Sequence, residues 1–446
     1  MLPTQAEYYC FLVVVFFAFW LARRNRAATM WVVLAANFLF YSHWGLLYLV
    51  LIPACATVDF FLARAIAVRR SRNLMWVSVA MNLGLIATSR YLPGLGALLP
   101  LSLSFYAFQA LTYTLGIYRE EAEPSSSFVD YLASVTFFPT ALAGPIARVP
   151  ALIPQWRWKG GALSTGLSPE DGGRALGLIV IGLLKKFLIA DYLANNLINR
   201  VFDLPKLYAG GDVLVAVYAY AFQLYYDFSG YSDIAIGSAL LLGIRLPENF
   251  NDPYRAINLA DFWRRWHISF SNWLRDNLYY SLPGKRTKVM PYVSLVITMA
   301  LGGLWHGAHW TFLIWGFWHG TGLAVVRWWQ SRKMKWPRLG GGLLTFHFVL
   351  VGWVFFRAAS VDNALQILRR IASLQWIPEG VSPAYFAVLA FAAAAHFIPS
   401  TRRDQSLGWF AARPALLQAA ALVLTALAIR YAAGAGGAAP FIYSRF

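Results

Sequence analysis

Long apolar runs, broken by short basic or glycine- and proline-rich stretches, make up almost the whole chain. They occupy 8–21, 29–41, 46–63, 75–88, 101–118, 129–145, 175–202, 213–242, 290–305, 310–326, 343–356, 384–397 and 416–432. A helix needs roughly 20 residues to cross the hydrocarbon core of a bilayer, so the pattern predicts a polytopic all-α membrane protein with roughly eleven to thirteen membrane helices. Three runs depart from plain apolar helix. The run 101–118 carries Ser102, Ser104, Gln109, Thr112 and Thr114, a polar stripe that must face protein or water and not lipid. The run 129–145 contains Pro139 and ends at Gly144 and Pro145, which predicts a kinked or re-entrant segment shielded by protein. The run 175–202 is interrupted by Lys185, Lys186 and Asp191. No internal repeat is visible, inverted repeats included.

Composition narrows this further. The chain has 446 residues, 59% hydrophobic and only 13% charged, with a mean hydropathy of +0.52. Soluble domains carry about 25% charged residues. The deficit runs along the whole chain and no polar linker divides it, so a single membrane domain over 1–446 is expected. The net charge of +18 would raise nucleic-acid binding in a soluble protein. Here the cations bracket apolar runs, as at Arg23, Arg24 and Arg26, at Arg69, Arg70 and Arg72, at Lys285, Arg286 and Lys288, and at Arg332, Lys333 and Lys335. Loops of this kind lie on the cytoplasmic side. The groups at 23–26 and 64–72 fall on one side of a helical hairpin, so the N-terminus is expected outside the cytoplasm and no nucleic-acid partner is expected. Cys10 and Cys55 cannot build a disulfide framework or a zinc ribbon. The first residues lack a basic region and a small-residue cleavage site, so they read as an uncleaved membrane segment.

Candidate chemistry concentrates in residues 219–320. Four of the seven histidines lie there, His267, His306, His309 and His319. His306 closes an otherwise apolar run, with Gly302 and Gly303 before it and Gly307 after it. An ionisable group at such depth is costly, and neutral imidazole can take a proton from a hydroxyl near physiological pH. The glycines would leave room for backbone and substrate to approach. A core histidine bonded to a neighbouring helix is the other reading. His267 follows Trp263, Arg264, Arg265 and Trp266. If the segment is one helix, Trp263, His267 and Ser271 share a face. Arg264 and Arg265 either bind a phosphate-bearing donor or mark the cytoplasmic interface. Asp227 and Asp233 either bind a hydroxylated acceptor or, the favoured reading, neutralise Arg245 or Arg264, because acids within an apolar helix must be paired or hydrated. His306 and His309 at i, i+3 do not make a zinc site, which needs three or four ligands with outer partners, and no metal is expected. His319 falls on roughly the opposite face from His306, and His43, His347 and His396 have no companions in the sequence. No G-x-S-x-G elbow or phosphate-binding loop occurs.

The motifs YDFSGYSDIAIG, ENFNDPYRAINLADFWRRWHISFSNWLRD and GGLWHGAHWTFLIWG, in that order, resemble the membrane-bound O-acyltransferase (MBOAT) family, and most closely its alginate O-acetylation branch. The segments 101–119, 137–155, 352–360 and 440–446 extend the resemblance over nearly the whole chain. The resemblance implies a helical bundle around a central tunnel. An acyl group, most often acetyl, passes from a cytoplasmic thioester to a hydroxyl acceptor on the outer side. The donor, acetyl-CoA or an acyl-carrier protein, is a substrate, and no bound cofactor is implied. His306 then falls on the family's catalytic histidine and is expected to act as general base. His267 falls on the second characteristic polar position and is expected to position or polarise. Trp263, Arg264, Arg265, Asp227, Ser271 and Trp305 are the candidate substrate-binding residues around them. The chain departs from the branch at Gly116, where an acidic residue is usual, and at Ser281, Leu282, Pro283 and Gly284. The implied setting is the bacterial inner membrane, with the lipid bilayer and a periplasmic or extracellular acetyltransferase as partners. D-alanyl transfer from a carrier protein is the alternative within the class. A transporter or flippase is the alternative outside it, and the absence of an inverted repeat argues against it.

Overall fold

The computed structural model describes residues 2–91, 102–142, 144–156, 158–159, 162–163, 166–282, 287, 289–334, 336, 338–373, 375 and 377–434. Pro283, Gly284, the cations Lys285, Arg286, Lys288 and Lys335, and the terminal run 440–446 lie outside them. In chain order the helices are α1 (Ala6–Ala22), α2 (Arg26–Ser42), α3 (Leu47–Arg69), α4 (Arg72–Tyr91), α5 (Ser102–Tyr118), α6 (Phe128–Val135) and α7 (Val149–Leu152). After them come α8 (Pro169–Leu184), α9 (Asp191–Leu193), α10 (Asn199–Asp203), α11 (Gly210–Leu241), α12 (Leu259–Arg265) and α13 (Ile268–Asn277). The last are α14 (Met290–His306), α15 (Trp310–Ser331), α16 (Arg338–Arg357), α17 (Val361–Ala372), α18 (Pro383–His396), α19 (Ser400–Ala411) and α20 (Ala415–Gly434). The extended backbone that pairs among the described residues is a two-residue antiparallel ladder, Trp158–Lys159 against Ala162–Leu163.

Among the described residues, Leu47–Arg69 and Gly340–Arg357 are long and apolar enough to cross a membrane. The pair α18 and α19, bent by 93°, would make a third as one broken span. Other apolar runs form shorter helices, such as Ala6–Ala22 and Met290–His306. The run 175–202 winds through two π-helical stretches, Lys185–Ala190 and Ala194–Ile198; the first starts at the Lys185 and Lys186 interruption, and Asp191 lies in the short α9 between the two.

The chain groups into two compact units. The first comprises Met1–Ile179, Tyr231–Glu248 and Leu407–Gln418. Its α5 buries Ser104, Gln109, Thr112 and Thr114, so the polar stripe faces protein. Thr114 meets the Ser78 hydroxyl at 2.9 Å, and Ser78 donates to Asp59 at 2.6 Å. Asn82 donates to the other Asp59 oxygen at 2.9 Å. This network lets a carboxylate sit fully buried among α3, α4 and α5. The segment with Pro139 is broken, as its proline predicts: α6 ends at Val135, and a single 3₁₀ turn, Phe138–Thr140, follows. Asn37 of α2 satisfies the freed backbone. It accepts from the Phe138 N–H at 3.0 Å and donates to the Ala133 carbonyl at 3.3 Å.

The second unit comprises Val180–Gly230, Asn249–Ser406 and Ala419–Phe446, and it holds His267, His306, Trp263, Arg264, Arg265, Asp227, Ser271 and Trp305, while Asp233 falls in the first. The densest contact of the second unit is the antiparallel hairpin of α14 and α15. Gly303, Gly316 and Gly320 bring the two backbones together. A Cβ on Gly320 would stand 2.6 Å from the Val296 Cα, and one on Gly316 would stand 2.9 Å from the Ala300 Cα. Gly316 and Gly320 are four residues apart, the small-residue spacing that lets membrane helices pack closely.

Candidate functional site

His306 is the last residue of α14 and is 3% exposed. The chain breaks there because Gly307 is extended and α15 does not begin until Trp310. Its imidazole is enclosed by aromatic rings. Trp305 lies at 4.7 Å between centroids, Phe356 at 4.9 Å, Trp315 at 5.2 Å and Phe270 at 5.9 Å. Rings from α13, α14, α15 and α16 thus converge on one basic side chain and keep water from it. The neighbouring glycines admit protein: a Cβ on Gly302 would meet Leu274 at 3.1 Å, and one on Gly307 would meet the Phe312 ring at 2.5 Å. The space beside His306 expected for substrate at these glycines is filled by α13 and α15.

His267 does not continue a helix. It sits between α12 and α13 in the left-handed region, at φ 43° and ψ 54°. A residue with a side chain reaches that conformation at a cost of about 1–2 kcal/mol, so local partners must hold it. Asn249 supplies them. Its carbonyl accepts from the Ile268 N–H at 2.9 Å. Its Oδ1 lies 2.8 Å from the Ser269 hydroxyl, 3.3 Å from the Ser269 N–H and 3.1 Å from His267 Nδ1. His267 is 1% exposed, stacked on Phe270 at 4.9 Å and edge-on to Phe228 at 4.7 Å. Its two flanking helices are too short to cross a bilayer, and burial pushes its imidazole down to about 3, so it is neutral at physiological pH.

The two candidate catalytic histidines therefore share neighbours. Phe270 touches both rings, and Trp305 lies against His306 and 6.5 Å from His267. The other candidates divide. The left-handed residue breaks the i, i+4 stripe, so Trp263, His267 and Ser271 do not share a helical face. Trp263 donates its indole N–H to His319 Nδ1 at 3.3 Å, and the Ser271 hydroxyl donates to the Trp266 carbonyl at 3.0 Å. Arg264 and Arg265 both pair with Asp261, at 3.6 and 3.0 Å, and the Arg264 side chain is 66% exposed.

Asp227 is ion-paired, but with a different partner from those expected. Lys186 lies 2.7 Å from it and 2.8 Å from Asp191, and the side chains of Lys186 and Asp227 are all but sealed from solvent. Arg245 pairs instead with Asp171. Lys186 sits in the first π-helical stretch, and no apolar-run argument could have matched it to an acid 41 positions later on α11.

His309 is exposed at the start of α15 and lies across the helix break from His306, so the i, i+3 spacing is not that of one helix. Among the described residues no group of three His, Cys, Asp or Glu side chains gathers as metal ligands would. His319 is fully buried on α15, and Trp315 lies 5.1 Å from it and 5.2 Å from His306. His396 has companions the sequence hid. It accepts from the Tyr254 N–H at 3.2 Å and lies edge-on to Tyr225 at 4.6 Å. Asn249, Phe270 and Phe356 are the site residues missed in the sequence. The signal for Asn249 was its place in a polar, proline-bearing loop between two helical blocks, where a side chain is free to hold backbone.

A model of the membrane-bound O-acyltransferase family matches residues 5–361. A probable alginate O-acetylase of Azotobacter vinelandii is 35% identical over 392 residues, covering 80% of this chain and 76% of its own. A peptidoglycan O-acetyltransferase of Helicobacter pylori is 32% identical over 421 residues, covering 83% and 79%. A teichoic acid D-alanyltransferase of Streptococcus thermophilus is 26% identical over 335 residues, covering 65% and 77%.

Proposed function

The chain belongs to the membrane-bound O-acyltransferase family, and from that premise we propose that it moves an acetyl group from a cytoplasmic thioester to a hydroxyl of an extracytoplasmic polysaccharide. It is an O-acyltransferase and a membrane protein. The observation that carries the reading is the placing of His306 and His267 around Phe270 and Trp305 in a buried cluster of aromatic rings. Such a cluster gives an imidazole base a low-dielectric setting in which proton transfer and developing charge are felt strongly.

In the proposed reaction His306 takes the proton of the acceptor hydroxyl. The oxygen attacks the thioester carbonyl, and the tetrahedral intermediate collapses to the ester and a thiolate. The proton held by His306 then passes to the sulfur, which leaves as thiol. His267 holds the substrates in register. Acetyl-CoA or an acetylated carrier protein supplies the thioester. Relatives named for alginate and for peptidoglycan O-acetylation support an acetyl group and an envelope polysaccharide. The setting is the bacterial inner membrane, and a periplasmic acetyltransferase partner would complete delivery to the polymer.

The test is His306→Ala assayed with radiolabelled acetyl-CoA in membranes. Transfer is expected to fall by about 10² to 10⁴ with the protein still inserted, while His309→Ala, at an exposed residue beyond the helix break, keeps most activity. A folded His306→Ala protein that transfers acetyl at the normal rate would overturn the mechanism. Solute flux without acyl transfer would favour a transporter.

A further inference from the structure

We propose that Asn249 is a positioning residue that fixes the tautomer of His267, leaving Nε2 as a bare hydrogen-bond acceptor in the aromatic pocket shared with His306. The inference rests on the reading that these two histidines form one site, and it adds what the second one can do there.

The argument starts from a backbone amide. The Ser269 N–H can only donate, and it points at the Asn249 side-chain atom 3.3 Å away. That atom is therefore the amide oxygen, an acceptor, and the Ser269 hydroxyl donates to it as well, at 2.8 Å. His267 Nδ1 faces the same oxygen at 3.1 Å. Two acceptors cannot bond each other, so Nδ1 carries the ring proton. In a neutral imidazole the other nitrogen then holds a lone pair. Nε2 is buried and has no hydrogen-bond partner among the described residues. Its surroundings on α11, α13 and α14 are the rings of Phe228, Phe270 and Trp305, and the last two also lie against the titratable ring of His306.

The left-handed backbone serves the same end. The Asn249 carbonyl fixes the Ile268 N–H while its side chain fixes Ser269, so the loop holds the strained residue and its ring together. A buried acceptor with no partner among the described residues is open to a donor that enters from outside the protein. The chemical class is a hydrogen-bond donor on the substrate, either the acceptor's hydroxyl or an amide N–H of the thioester's pantetheine arm. The same tautomer bars His267 from donating a hydrogen bond to the thioester carbonyl through Nε2.

The deciding measurement is ¹⁵N-histidine NMR of the purified full-length protein, with the His267 signals identified by their loss in His267→Gln. Wild type is expected to show a protonated Nδ1 and an unprotonated Nε2 at neutral pH. A protonated Nε2 would sink the proposal, whatever the variants do. Asn249→Ala should mix the two tautomers and raise a KM, that for acetyl-CoA if the donated group is the pantetheine amide and that for the polysaccharide if it is the hydroxyl. Asn249→Asp places a carboxylate on Nδ1, which favours the imidazolium, so the acidic limb of the activity profile should move to higher pH. Retention of the wild-type tautomer in Asn249→Ala, together with an unmoved pH profile in Asn249→Asp, would equally overturn it. If His267→Gln retains full activity while the tautomer is as stated, the joint-site reading fails and the assignment of Asn249 stands.

Discussion

Trp263 and His319 form a pair that neither residue announces alone. The indole N–H can only donate, so His319 Nδ1 must accept it at 3.3 Å, deep in the ring cluster that also holds Trp315 and Trp353. A Cβ on Gly352 would lie 2.7 Å from His319 Nε2, so the α16 backbone closes the ring from the other side. Replacing Trp263 by Phe keeps most of the ring volume and removes the donor. The expected cost is about 1–3 kcal/mol, because a buried acceptor is left unsatisfied. Thermal unfolding of the purified protein should show a lower Tm, with acyl transfer reduced far less than in His306→Ala. An unchanged Tm would mean that this hydrogen bond is not formed. At this scale the sequence pointed to His306 through its place at the end of an apolar run, and to both His306 and His267 through their motif positions. The partners of Trp263, Ser271 and Asp227 were hidden, since each lies in another helix or across the left-handed break at His267.

At the scale of elements, His306 is placed by the way α14 meets α15. Gly316 and Gly320 face the α14 backbone around Val296, Met299 and Ala300, with no room for a methyl group. Gly316→Ala must push the helices apart or bend one of them, at about 1–3 kcal/mol for overpacking. Because His306 closes α14, the same shift moves the proposed base relative to Phe270 and Phe356. Both the melting temperature and the transfer rate are expected to fall. Gly84→Ala on α4 is the control, since nothing lies within 4 Å of the added methyl and alanine favours the helix by about 1 kcal/mol. A Gly316→Ala protein as stable and active as Gly84→Ala would refute close packing as the device that places His306. The glycines beside His306 were visible in the sequence and suggested room for substrate. Their occupants, Leu274 and Phe312, come from the helices on either side, which no local spacing identifies.

For the whole molecule, the membrane sets orientation through charge. The cations at 23–26 and 64–72 flank the hairpin that begins the chain, and cytoplasmic loops are the ones rich in Lys and Arg. The N-terminus is therefore expected outside the cytoplasm. A reporter fused there that is active only in the cytoplasm should be silent, and a strong signal would reverse the orientation.

The sequence by itself determined that the chain is helical and that it is a membrane protein, and its motifs carried the proposal that the chemistry lies near His267 and His306. Apolar run length, scarcity of charge and ordered motifs are properties of the chain read along itself, and each acts locally. Tertiary structure alone decided the partners. It set Lys186 between Asp191 and Asp227, seated His267 on Asn249 in a left-handed turn, and wrapped His306 in rings from four helices. Buried ions and polar groups must be satisfied by whatever folding brings beside them. In a helical protein those neighbours come from other helices, at sequence distances that no periodicity encodes.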